Sequence, residues 1–167
     1  RAEPDAVLAN PWLFAPYAED RVNRPKSDQA GMLHNAAWSA VFLWKDGVEN
    51  PDIAARCPAT IRALAEAPLC RIPGRSPSIL FSRLQAGAKI PPHHGLINTR
   101  LICHLPLIAP PGSHFPVAGE TREWREGQAW TFDDTIEHEA WNDSGHDRTI
   151  LIFVVWKPEV TAEEQDL

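Results

Sequence analysis

Pro92-His93-His94-Gly95-Leu96-Ile97-Asn98-Thr99-Arg100-Leu101-Ile102-Cys103-His104 lies in the middle of the chain and holds three of its seven histidines. Pro91 and Pro92 stiffen the backbone ahead of His93, and Gly95 leaves close access behind it. Thr99 to Ile108 reads as a strand, closed by Ala109-Pro110-Pro111-Gly112. A second cluster follows, Phe132-Asp133-Asp134-Thr135-Ile136-Glu137-His138-Glu139-Ala140-Trp141, in which an Asp-Asp turn leads into a strand that starts at His138.

The same rhythm of short apolar runs and Gly/Pro corners extends outward from these clusters. Ile79–Leu84, Phe115–Val117, Thr121–Trp124, Gln128–Phe132, His138–Asn142 and Arg148–Trp156 read as strands. Gly87 and Gly119-Glu120 mark corners, and Glu126-Gly127 is a hairpin signal. The 16 prolines, where average usage of ~5% predicts about 8, weigh against a helical bundle. The expected class is mainly β, a sandwich or barrel. Upstream, Asn35 to Trp44 reads as a buried strand followed by a Lys45-Asp46-Gly47 turn. Cys57–Ala67 is the best helix, with Pro58 in its first turn, Ile61, Leu64 and Ala65 on one face, and Pro68 as its stop. Residues 1–35 look irregular, broken by Pro4, Pro11, Pro16 and Pro25, with Trp12, Phe14 and Tyr17 expected to pack this arm on the core. One domain is expected: an N-terminal arm and packing helix over 1–75, a catalytic core over 76–158, and an acidic tail over 159–167 that frays.

A chain of 167 residues with 44% hydrophobic residues can bury a substantial core. Its net charge of −6 argues against nucleic-acid or anionic-membrane binding, which needs a basic face. No apolar run approaches the roughly 18 residues of a membrane span. The chain starts at Arg1 rather than Met, as a trimmed or processed product would. Cys57, Cys70 and Cys103 form no C-x-x-C pair; Cys57 and Cys70 could pair, but reduced thiols in a cytoplasmic protein are the expectation. Oligomeric state is left open.

His34, His114 and His146 read as surface or hydrogen-bonded residues. His93 and His138 stand in more unusual company. Imidazole suits Fe, Zn, Cu and Ni, and nearby carboxylates such as Glu137 and Glu139 commonly orient such ligands. Spacing alone leaves the pair open between a metal site and ordinary histidines. Arg148 opens the apolar strand Ile150-Leu151-Ile152-Phe153-Val154-Val155. Either it snorkels at the strand end, or it points inward and needs an anionic partner, such as a dicarboxylate.

Several motifs in this order carry a resemblance. They are Phe81-Ser82, Pro92-His93-x-Gly95, Asn98-x-Arg100-Leu101-x-x-His104-Leu105, Glu120-x-Arg122-x-Trp124-x-Glu126-Gly127, Phe132-Asp133-Asp134, Glu137-His138-Glu139-x-Trp141 and Arg148. Together they resemble the aspartyl/asparaginyl β-hydroxylase family, from about Trp38 to Pro158. Gly87-x5-His93 and His138-x3-Asn142 also echo the two metal motifs of cupins. The resemblance implies a double-stranded β-helix (a jelly roll, cupin-like) with a few flanking helices. It implies a dioxygenase that uses Fe(II), 2-oxoglutarate and O2 to hydroxylate a peptide or small-molecule substrate.

Position by position, His93 and His138 match the iron ligands, and Gly95 falls where the wider superfamily places a carboxylate ligand. Asp134 matches an acid that holds a water at that vacancy. Ser82 and Arg148 match the groups that bind the distal carboxylate of 2-oxoglutarate, and His104 one near its chelating end. Arg100 and Trp38 match substrate-pocket residues. Ile102 stands where the animal enzymes carry a second arginine, which bears on an Asp/Asn substrate. The resemblance favours hydroxylation of the β-carbon of an Asp/Asn residue or related amino acid. The alternatives are a small-molecule or lipid acyl hydroxylase, a halogenating enzyme that exploits Gly95, and a non-catalytic cupin-like binder of metal or a small acid.

Overall fold

Side chains that alternate between two faces along four long strands create the interior of this protein. The computed structural model describes residues 2–19 and 31–166. The large sheet is built from β1 (Ala15–Pro16), β2 (Trp38–Lys45), β3 (Val48–Glu49), β4 (Ile79–Leu84), β6 (Arg100–Ile108), β9 (Trp130–Phe132) and β11 (Arg148–Trp156). Its order is β1-β2-β4-β11-β6-β9, with β3 on β2. The small sheet contains β5 (Lys89–His93), β7 (Ser113–Val117), β8 (Glu120–Glu123) and β10 (His138–Asn142), in the order β5-β10-β7-β8. All these pairings are antiparallel. The result is the mainly β jelly roll expected from the sequence.

The large sheet is covered on both faces. Trp38, Leu84, Ile102, Ile150 and Val154 face Ile90, Phe115 and Ala140 of the small sheet. On the opposite face, Val41, Leu43, Ile79, Phe81 and Leu151 pack against Val7, Ile53 and Leu64. Those last three come from α1 (Ala2–Leu8), α2 (Pro51–Ala54) and α3 (Pro58–Ala65). Two-sided burial is why β2, β4 and β11 read as nearly continuous apolar runs rather than alternating ones. The polar exceptions on the inward face, Ser82 and Arg148, are therefore conspicuous.

Several expectations are corrected by the fold. Residues 2–8 form helix α1, with Pro4 in its first turn, where a missing N–H does no harm. The Glu3 carboxylate accepts hydrogen bonds from Ala59 N at 2.9 Å and Thr60 N at 3.2 Å. It thereby caps α3, whose own cap residue Cys57 makes no side-chain capping bond. Trp12 does not pack: it is 92% exposed. Phe14 lies 3.7 Å beneath the Arg83 guanidinium, and Tyr17 stacks on Trp38 at 4.3 Å. Pro25 lies outside the described residues. Ala65 is exposed, so Leu64 alone is the buried residue of α3. Glu126-Gly127 is no hairpin, because β8 belongs to the small sheet and β9 to the large one. The hairpin is β7–β8, turning at Ala118 and Gly119, both at positive φ. The acidic tail carries a short helix, α4 (Ala162–Gln165), held by a Thr161–Glu164 capping box. Cys57, Cys70 and Cys103 are all buried free thiols.

One buried amide joins the two sheets. Asn142 is 0% exposed, and its Nδ2 donates to Leu84 O, Gln85 O and His146 O at 3.1, 3.1 and 2.8 Å. Its Oδ1 accepts from Ser113 Oγ at 3.2 Å and Ser144 Oγ at 2.6 Å. The end of β10 is thus anchored to the end of β4, which sets where His138 stands. Asn142→Ala is predicted to destabilise the protein by about 2–4 kcal/mol, because it removes a fully buried amide that bonds Leu84 O, Gln85 O and His146 O at once. An unchanged urea midpoint would contradict this role.

Candidate active site

The β5–β10 ladder places His93 and His138 directly opposite one another. Their ring centres are 4.1 Å apart. Each ring is held in the same way. His93 Nδ1 lies 2.9 Å from Pro91 O, and His138 Nδ1 lies 2.8 Å from Ile136 O, in both cases the carbonyl two residues upstream. A carbonyl can only accept, so Nδ1 carries the proton and Nε2 keeps a lone pair for a metal. Burial also keeps both rings neutral, lowering the His93 pKa and taking His138 to about 4. Neutral imidazole is the ligating form. Among the described residues no group of three or more His, Cys, Asp or Glu is arranged around a metal position. The candidate centre is a histidine pair.

Gly95 explains how a carboxylate stands near the pair without being the ordinary third ligand. A Cβ built on Gly95 would fall 2.1 Å from Asp134 Oδ2 and 2.2 Å from its Cγ. The Asp134 carboxyl group fills the space of the missing side chain. Gly95 N donates to Asp134 O at 2.5 Å, which locks the two loops together. Arg100 Nη2 donates to Asp134 Oδ2 at 3.3 Å. Burial raises the Asp134 pKa, and Arg100 opposes that shift. Arg100 Nε and Asp134 Oδ1 remain buried and without a hydrogen-bond partner.

A second polar group lies deeper in the barrel. Arg148 is 1% exposed, and its Nε and Nη1 have no partner. Desolvation alone pushes its pKa down to about 9. Its cross-strand neighbour is Leu84, and the adjacent pair Ile150–Ser82 puts Ser82 on the same inward face. Ser82 Oγ accepts from Trp38 Nε1 at 3.2 Å, which leaves its own hydroxyl proton free to donate. Trp38 in turn lies 6.1 Å from the His93 ring, linking the two groups. His104 is buried inside a ring of Phe115, Trp124, Trp130 and Phe132, with centres 5.0–6.0 Å away. Burial drives its pKa well down, helped by the Arg148 charge, and its Nδ1 is unpartnered. A buried cation with unpaired donors beside a neutral histidine has the chemistry to accept an anion.

All eight candidate residues thus face or border one interior. His94 does not: it is exposed, with Nδ1 3.2 Å from Thr135 O and Nε2 3.5 Å from Glu137. His34 and His146 are also exposed, and His114 lies 5.7 Å from Trp141 at the far end of β10. Ile102 is buried among Phe132 and Val154. The Pro91 and Ile136 carbonyls were not legible in the sequence, since any residue supplies a carbonyl. Trp124 and Trp130 are given no role by the sequence, because runs as short as Thr121–Trp124 and Gln128–Phe132 do not show which face points inward. A cleft of about 590 Å³ opens next to this interior, lined by Thr99, Asp133 and Lys157 among others, and contacts neither histidine of the pair.

The fold and its interior define a jelly roll with a paired-histidine centre and a buried, unpaired cation. The family model described as aspartyl/asparaginyl beta-hydroxylase matches residues 1–158, and the chain belongs to that family. It is 36% identical over 157 residues to the mouse (Mus musculus) aspartyl/asparaginyl beta-hydroxylase, covering 92% of this chain and 19% of that protein. It is 35% identical over 124 residues to the ornithine lipid ester-linked acyl 2-hydroxylase of Rhizobium tropici, covering 72% of this chain and 42% of that protein. The chain therefore spans about a fifth to two-fifths of the curated relatives it matches here. Among solved structures it resembles the Schizosaccharomyces pombe Cnp3 cupin domain, with a TM-score of 0.47 and 11% identity over 72% of this chain and 65% of that one. No helix among the described residues is long and apolar enough to cross a membrane.

Two predictions follow from the histidine geometry. His93→Ala and His138→Ala should each abolish stoichiometric Fe(II) binding, measured anaerobically by equilibrium dialysis, while His146→Ala should retain it. Retained iron in the first two would refute the assignment. The second concerns the metal-free protein. His138 holds its proton less tightly folded than unfolded, so acid favours the unfolded chain from pH 6.5 down to about 4. The loss from this group amounts to about 3 kcal/mol at ~1.4 kcal/mol per pKa unit. His138→Gln should lose less stability than wild type over that window, and parallel profiles would exclude this linkage.

Proposed function

We propose that this chain is an Fe(II)- and 2-oxoglutarate-dependent dioxygenase that hydroxylates an unactivated C–H bond. The observation that carries the reading is Arg148, a fully buried guanidinium with unpaired donors, in the same barrel interior as a neutral histidine pair. 2-Oxoglutarate has the matching chemistry: a chelating keto acid at one end and a carboxylate at the other. Iron with 2-oxoglutarate and O2 supplies the oxidant.

The chain's own residues supply binding, orientation and dryness. His93 and His138, paired on adjacent strands, would hold the iron through their Nε2 lone pairs. Arg148 and the Ser82 hydroxyl take the distal carboxylate. His104, neutral and buried, shares Phe115 and Phe132 as ring neighbours with His138 and would contact the chelating end. Phe115, Trp124, Trp130 and Phe132 exclude water around it. Asp134, held by Arg100, offers an acceptor beside Gly95 for a metal-bound water. The negative charge of the same carboxyl group would repel a halide, which disfavours halogenation.

For substrate, the reading is the β-carbon of an Asp/Asn residue or related amino acid, with Arg100 and Trp38 in the substrate pocket. One observation favours a second reading. Ile102 is buried and apolar where the animal enzymes are expected to hold a second cation, and an uncharged acyl chain would suit that wall.

Purified protein with Fe(II), ascorbate and 2-oxoglutarate is predicted to form succinate, accelerated by an Asp/Asn peptide or an acyl substrate. Absence of succinate across a panel of both would leave only a binding role. Arg148→Gln should raise the 2-oxoglutarate KM by more than about tenfold, the scale of a lost charge-assisted hydrogen bond. An unchanged KM would remove Arg148 from the site.

A further inference from the structure

Trp124 lies in the chain between β8 and β9, where the backbone crosses from the small sheet to the large one. Its indole is buried. The ring centre is 4.2 Å from Arg148 Cζ, 5.5 Å from the Phe115 ring and 6.0 Å from the His104 ring. Its Nε1–H is buried and has no hydrogen-bond partner. An indole N–H can only donate, and leaving one unpaired in an interior is costly.

The contact with Arg148 has a specific consequence. A cation over an aromatic face is stabilised and oriented without losing its charge or occupying its N–H groups. A carboxylate at the same place would neutralise Arg148 and compete with any incoming anion. Among the described residues Arg148 has no ion pair, and its Nε and Nη1 are free. The orphan donors of Trp124 and Arg148 and the unpartnered His104 Nδ1 belong to one aromatic-walled interior.

Resting on the 2-oxoglutarate reading above, we infer that Trp124 is a positioning and binding residue of the distal-carboxylate pocket. Its ring face holds the Arg148 guanidinium in place, and its Nε1–H donates to the ligand. Trp124 thereby contributes to selection of a dicarboxylate over a shorter keto acid.

The test is calorimetric, on Mn(II)-loaded protein, with 2-oxoglutarate and pyruvate as probes. Pyruvate shares the keto-acid head and lacks the distal carboxylate. Trp124→Leu, which removes both face and N–H, should weaken 2-oxoglutarate binding by about tenfold or more. Trp124→Phe, which keeps a face and removes the donor, should fall between it and wild type. Mn(II) and pyruvate affinities should stay unchanged in both. In an Arg148→Gln background the Trp124→Leu effect should shrink. Unchanged 2-oxoglutarate affinity in Trp124→Phe and Trp124→Leu, or an equal loss for pyruvate, would overturn the role of Trp124. If Trp124→Leu does not fold, Trp124→Phe decides alone, with wild-type 2-oxoglutarate affinity as the overturning result. Wild-type protein that binds 2-oxoglutarate no better than pyruvate would overturn the proposed function itself.

Discussion

A guanidinium buried without a protein anion is the constraint around which the barrel interior is arranged. Taking Arg148 out of water is costly, and its pKa is pushed down to about 9 by burial alone. The fold tolerates it because an aromatic face lies under it and the ladder to β4 holds its backbone. An anion that enters this interior finds donors already aimed and already stripped of water. This is preorganisation: the desolvation has been met during folding rather than at binding.

The histidine pair is arranged on the same logic by different means. Cross-strand register brings His93 and His138 together, and two backbone carbonyls fix their tautomers. Asn142 anchors β10 to the opposite sheet. The Gly95–Asp134 contact then ties the loop after β5 to the turn before β10. A side chain at position 95 would displace a carboxylate that itself is held by Arg100. The vacancy at Gly95 and the presence of Asp134 are thus one structural feature.

Much of this was legible before any coordinates. β4, β10 and β11 have the boundaries the sequence suggested, and of the two inward polar residues Ser82 interrupts the run of β4 and Arg148 opens that of β11. Histidines in Pro/Gly-flanked positions stood out for the same reason: their neighbours restrict the backbone. What was not legible depends on contacts between distant segments. Glu3 caps a helix more than fifty residues away, so α1 could not be inferred from a proline-rich arm. Glu126-Gly127 has the composition of a hairpin but joins two sheets, because turn chemistry is local and sheet membership is not. Trp12 follows no pattern that would separate an exposed indole from a packed one.

The central claim is that one 2-oxoglutarate molecule spans the histidine pair and Arg148. The most direct measurement is anaerobic titration of 2-oxoglutarate into Fe(II)-loaded protein, monitored by the visible charge-transfer absorption of a chelated keto acid. Wild-type protein should develop the band and saturate, His93→Ala should not develop it, and Arg148→Gln should require markedly more 2-oxoglutarate for half-saturation. No band in the wild type, or the same half-saturation in Arg148→Gln, would contradict the claim.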